Sequence, residues 1–142
     1  MNKITLNNAT PKLISLVLLM AGFMLFSACS RKIVFQNSSV VPAAEGSVKI
    51  KKDKNSNYNI DLSVMRLADP KRLDPPKNFY VVWMKTDETG TKNIGQLKTS
   101  SSMLSSTLRS SLKTVSSSKP TGFFITAEED AAVQYPSGVV VL

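Results

Sequence analysis

Residues 79–84 are apolar at both alternations, with Phe79, Val81 and Trp83 on one parity and Tyr80, Val82 and Met84 on the other. Successive side chains of a strand point to opposite faces, so a strand built from this run needs cover on two sides. That requirement excludes a lone hairpin or a one-sided sheet and predicts a central strand in a layered β domain. Trp83 is the single tryptophan of the chain. An aromatic ring of that size dominates the burial energy of a small core, so Trp83 is read as the core anchor.

The flanking segments carry the other β signature, strict alternation. Val48 and Ile50 alternate with Lys49 and Lys51, and the pattern resumes as Tyr58, Ile60, Leu62 and Val64 against Asn59, Asp61 and Ser63. Two strands, each with one buried and one wet face, predict a hairpin. The connecting residues 53–57 match the opening of a calcium loop, D-x-N-x-N, but Tyr58 stands where that loop needs glycine and Val64 where it needs glutamate. They read as a turn. Asp69-Pro70 and Asp74-Pro75-Pro76 then block both helix and ladder and mark a crossover into the central strand.

Beyond Lys85, the turn Asp87-Glu88-Thr89-Gly90 leads into a weaker strand over residues 92–98, with Gly95 marking a bulge. Residues 99–119 are serine-rich, and Leu104, Leu108 and Leu112 fit a helical stripe as well as a strand. The β preference of Ser/Thr-rich surroundings places a strand near residues 103–108. Residues 122–128 and 139–142 give two further strands. Seven or so short strands broken by Pro, Gly and Asp predict an all-β fold, a single antiparallel β-sandwich over residues 45–142.

Histidine is absent and the only cysteine is Cys29. Imidazole chemistry and an internal disulfide are thereby removed, leaving packing as the source of stability. The net charge of +8 drops by two if Lys3 and Lys12 are removed with a leader. No basic-aromatic motif accompanies the charge, so nucleic acid is not an expected partner.

Lys3 and Lys12 precede an uncharged apolar run over residues 13–26, followed by Ser27, Ala28 and Cys29. A basic start, a short apolar stretch and small residues make a cleaved secretory signal over residues 1–28, since a spanning helix needs about 20 apolar residues. Phe26-Ser27-Ala28-Cys29 resembles the lipobox of bacterial lipoproteins, with Phe26 where leucine is usual. The resemblance implies that Cys29 is acylated, palmitate included, and becomes the mature N-terminus. It further implies a periplasm-facing lipoprotein, with Ser30 favouring the outer membrane over the inner. Arg31 and Lys32 would sit beside anionic head groups. Residues 29–44 read as a lipidated tether holding the domain roughly 20 Å from the membrane, unless the Ile33-Val34-Phe35 patch packs as a first edge strand.

Four motifs in order carry a second resemblance: Tyr80-Val81-Val82-Trp83-Met84, Ile94-Gly95-Gln96-Leu97, Phe124-Ile125-Thr126-Ala127-Glu128 and Pro136-Ser137-Gly138-Val139-Val140-Val141-Leu142. Together they resemble the extracytoplasmic C-terminal domain of anti-sigma-K factors. The resemblance implies an immunoglobulin-like sandwich. The family's Gly-Gly turn is replaced here by Glu129-Asp130-Ala131-Ala132, and its cytoplasmic sigma-binding helices and membrane helix have no counterpart in this sequence. No direct sigma-factor contact is therefore expected.

Ser110/Lys113 and Ser116/Lys119 both satisfy S-x-x-K, the nucleophile and base spacing of penicillin-recognising enzymes. The partner motifs S-D-N and K-T-G are missing and serine is abundant locally, so no catalytic residue is assigned. Glu128 and Glu129 are adjacent and point to opposite faces of a strand, which excludes a glycosidase pair; Glu128 with Asp130 reads as solvated acid, and no metal or cofactor is assigned. A final strand bearing Val139, Val140 and Val141 offers an edge for strand addition. The sequence thus predicts a non-enzymatic, membrane-anchored module whose partner is an envelope protein or polymer. An accessory in anti-sigma-type signalling is the alternative, and a small hydrolase using a serine and a lysine is the third reading.

Overall fold

The computed structural model describes residues 30–100 and 109–142. Among them lie nine strands: β1 (Arg31–Val34), β2 (Glu45–Lys52), β3 (Tyr58–Met65), β4 (Phe79–Thr86), β5 (Gly90–Gln96), β6 (Lys98–Ser100), β7 (Arg109–Ser116), β8 (Pro120–Glu128) and β9 (Val139–Val140). They form two antiparallel sheets, ordered β1-β2-β3-β7-β6 and β5-β4-β8-β9. With β1 set aside, this is the A-B-E-D and C′-C-F-G order of immunoglobulin domains.

Alternation builds the space between the sheets. Val48 of β2, Ile60, Leu62 and Val64 of β3, Tyr80, Val82 and Met84 of β4, and Ile125 and Ala127 of β8 form one buried cluster. The β2–β3 hairpin pairs from Glu45↔Met65 to Lys52↔Tyr58. Its turn is closed by Asp53, whose backbone N–H donates to Asn57 O at 2.8 Å. The Asp53 carboxylate accepts from the Asn55 and Asn57 N–H groups, both at 2.8 Å. A carboxylate spent on its own turn is an Asx cap and not a cation ligand.

Strand β4 is central, between β5 and β8, and buried from Tyr80 to Met84. Val81 and Trp83 are fully buried yet lie outside the inter-sheet cluster. The strand is therefore covered on both faces, as the run of apolar residues required. The register to β5 skips between Val82 and Trp83, with Val82↔Gly95 followed by Trp83↔Asn93, which leaves Ile94 as the extra residue of a bulge. Gly95 sits there at φ 128°, and a Cβ on it would approach Leu112 Cδ1 to 3.2 Å. Both the backbone and the facing sheet select glycine at that position.

Two sequence expectations are displaced. The strand expected at residues 103–108 lies outside the described residues, and the serine-rich segment contributes β7 further along, paired with β3 over its whole length. Its inward parity is Ser110, Leu112 and Thr114. With one strong apolar side chain on that face, the period-two signal is faint. The segment read as a tether is likewise part of the sandwich, because β1 pairs with β2 from Arg31↔Ile50 to Val34↔Ser47. Phe35 N–H then donates to Gly46 O at 3.0 Å, and Val41 and Ala44 enter the core. The Ile33-Val34-Phe35 patch finds an open sheet edge, and an edge with unpaired donors and acceptors captures an adjacent extended segment. In the crossover, Asp69 caps a single 3-10 turn, Pro70–Arg72, so the prolines permit one helical turn and no more.

Candidate functional site

Two outward sheet faces and one crevice concentrate the chemistry of the described residues. On the five-stranded sheet, the outward parity of β1, β2, β3 and β7 is set by the inward one. Val48 and Ile50 point in, so Ser47, Lys49 and Lys51 point out; Ile60, Leu62 and Val64 point in, so Asn59, Asp61 and Ser63 point out. Lys32↔Lys49, Lys49↔Asp61 and Asp61↔Lys113 are successive register partners. A single row across four strands thus carries three ammonium groups and one carboxylate. Lys113 Nζ lies 3.6 Å from Asp61 Oδ2, with both side chains largely exposed, so the pair neutralises little of the row. Ser47, Ser63 and Ser111 form the next row and keep the floor low between the lysines. The resulting depression, about 410 Å³, is lined by Lys32, Lys49, Asp61, Arg109 and Lys113 with these serines.

On the four-stranded sheet, the outward parity of β4 and β8 is Val81, Trp83, Phe124, Thr126 and Glu128. Trp83 and Phe124 are cross-strand partners with rings stacked at 6.2 Å and 15°. Trp83 Nε1–H donates to Thr126 Oγ1 at 2.7 Å, and the Thr126 hydroxyl donates to Glu128 Oε1 at 2.6 Å. The backbone N–H of Ser137 donates to Glu128 Oε1 at 3.1 Å and its hydroxyl to Oε2 at 2.7 Å. Burial pushes the Glu128 carboxyl up, but the donors of Thr126, Gly138 and Ser137 outweigh it and hold the group below its ordinary value of 4.5.

Residues 129–138 cross this face as a strap. Asn93 of β5 donates from Nδ2 to Ala131 O and Val133 O, both at 2.9 Å, and Glu128 fixes the far end through Ser137. Gly138 closes the strap because a Cβ on it would fall 1.8 Å from Ala127 O. Lys77 and Asn78 also bond Glu129. Trp83 has zero exposure on this outward parity, where the strap is tied to Asn93 beside it in the register and to Glu128. Trp83, expected as the core anchor, is fully buried and lies on the face of β4 turned away from the inter-sheet cluster.

The remaining predicted residues are not drawn together. Cys29 lies outside the described residues. Ser110 is buried on the inward parity of β7 and Lys113 is exposed on the outward one, because i and i+3 of a strand face opposite ways. Ser116 Oγ is engaged with Ser118, donating to its O at 2.9 Å and accepting its N–H at 3.1 Å, while Lys119 is exposed. Glu128 and Asp130 do not form a shared acidic site. The Glu128 carboxylate is engaged within the chain by three donors within 3.1 Å, two on Oε1 and one on Oε2. Among the described residues no group of three or more His, Cys, Asp or Glu side chains is arranged to hold a metal ion.

Of the expected partner edge, Val139 and Val140 are 44 % and 55 % exposed, but Val141 is 2 % exposed and sits in the core. The edge consists of two side chains, not three. Val141 N–H donates to Ile125 O and Ile125 N–H to Leu142 O, each at 2.7 Å, so the last residues are zipped to β8 on one side.

No local pattern in the sequence points to the third feature, a crevice of about 240 Å³ lined by Leu67, Asp69, Pro70, Phe79, Tyr80 and Leu97. The Tyr80 hydroxyl is buried there without a hydrogen-bond partner among the described residues. Burial, with the Asp69 charge adding to it, pushes that phenol up to about 12. Comparison of the chain with known protein families, curated proteins and solved structures finds no match.

Proposed function

We propose that the protein is a lipid-anchored, non-catalytic lipoprotein of a bacterial envelope, whose β-sandwich acts as a binding or structural module facing the periplasm. Cys29 carries the acyl chains, and the partner is an envelope protein or polymer. The observation that supports this most directly is the position of Ser30. It lines a groove with Lys49, Lys51 and Lys113 on the outer face of the five-stranded sheet, one peptide bond from Cys29. An anchor at Cys29 and a basic binding face are thus adjacent in one small domain. The buried Ser110 and the hydrogen-bonded Glu128 favour binding over catalysis.

The test is replacement of the acyl acceptor. Cys29→Ser is expected to abolish palmitate labelling and to leave the protein either soluble in the periplasm or held as the unprocessed precursor. Mature, membrane-extracted, palmitate-labelled protein from that variant overturns the reading. The open edge of β9, with Val139 and Val140 exposed, supports a second reading as an accessory in anti-sigma-type envelope signalling through strand addition.

A further inference from the structure

The row Lys32, Lys49, Asp61, Lys113 spans four neighbouring strands. Strands lie about 4.8 Å apart, so three ammonium groups share a line roughly 14 Å long with one carboxylate among them. Lys51 stands one outward position along β2 from Lys49. The adjacent row of Ser47, Ser63 and Ser111 carries only short side chains, which leaves a flat body access to the ammonium groups from that side. Two exposed apolar residues flank the row on the same parity, Val34 at 67 % and Val115 at 59 % exposure.

Chain connection fixes where this face sits. Strand β1 begins at Arg31, so only Ser30 separates Cys29 from the sheet, and consecutive Cα atoms are about 3.8 Å apart. A flexible tether of fifteen or so residues would let the domain tumble away from the surface; one intervening residue does not. Ser30 itself lines the groove of Lys49, Lys51 and Lys113. The acyl chains therefore leave the domain beside its cationic face, where lysines are attracted to anionic leaflets within about one Debye length.

We infer that the outer face of the five-stranded sheet lies against the bilayer that holds the acyl chains, with Lys32, Lys49, Lys51 and Lys113 engaging the phosphates of anionic lipid head groups. This rests on the lipid-anchor reading of Cys29. The consequence is orientation: the strap of residues 129–138 and the β9 edge are left facing away from the membrane, available to an envelope partner.

The test reconstitutes the protein, purified from membranes, into vesicles of phosphatidylcholine alone or with about 30 % phosphatidylglycerol, and labels amines with an impermeant reagent read by peptide mass spectrometry. Labelling of Lys49, Lys51 and Lys113 is expected to fall at least about threefold in the anionic vesicles, with Lys92 of the opposite sheet unchanged, and to recover in roughly 0.5 M salt. In the K49E/K113E variant, Lys51 should label equally in both vesicles, with circular dichroism confirming that the variant is folded. Equal labelling of the wild-type lysines in the two lipids overturns the proposal. So does protection that persists in the variant or that occurs on phosphatidylcholine, because a protein contact or uncharged burial would then cover the face. Intact mass of the same preparation reports acylation of Cys29 separately, so a failed anchor and a failed docking face are told apart.

Discussion

At the scale of single residues, Glu128 couples the strap to pH. Its folded-state value is held below 4.5 by hydrogen bonds that the unfolded chain lacks. The unfolded chain therefore binds the proton more readily, and the contribution of Glu128 is present above about pH 4.5 and lost as pH falls through the folded value. Glu128→Gln should lower stability at neutral pH by about 1–3 kcal/mol, the cost of mismatching a buried acceptor to its donors. The difference between wild type and variant, read from urea midpoints, should shrink as pH falls below 4.5; a pH-independent gap overturns the assignment. Trp83→Ala should cost about 3–5 kcal/mol in the same measurement, since the stacked and strapped ring has little room to be replaced. A loss under about 1 kcal/mol would mean that the strap collapses onto the cavity at little cost.

Individual elements carry different legibility. The run from Phe79 to Met84 and the alternation of β2 and β3 were readable because each is a local pattern that fixes its own faces. Strand β7 was not, because its inward positions are Ser110, Leu112 and Thr114, and hydroxyl residues accepted at a sheet core leave no periodic trace. Strand β1 was obscured by being four residues long beside polar flanks. Strand β9 yields a test of face assignment. Val140 pairs with Thr126 on the outward parity, whereas Val141 belongs to the core. Val140→Lys should change stability by no more than about 0.5 kcal/mol, while Val141→Lys buries an unpaired charge and should cost more than about 3 kcal/mol by denaturant unfolding. Equal costs would mean that the register of β9 on β8 is wrong.

For the molecule as a whole, local patterns are enough for the class: two-sided cover for one strand, one-sided cover for its neighbours, and turns between them leave a layered antiparallel β domain. They also place the single cysteine beside a segment resembling a lipoprotein leader. Tertiary structure decided which residues share a site. Trp83 and Thr126 are 43 positions apart, and Lys32, Lys49, Asp61 and Lys113 become a row only through three separate registers. The physical reason is that side-chain alternation is a property of each strand alone, whereas register is set by the packing of the common core between strands far apart in sequence. A basic face with Ser30 at its border, a carboxylate bonded by a strap and a buried tryptophan on the outward parity of β4 are all consequences of register.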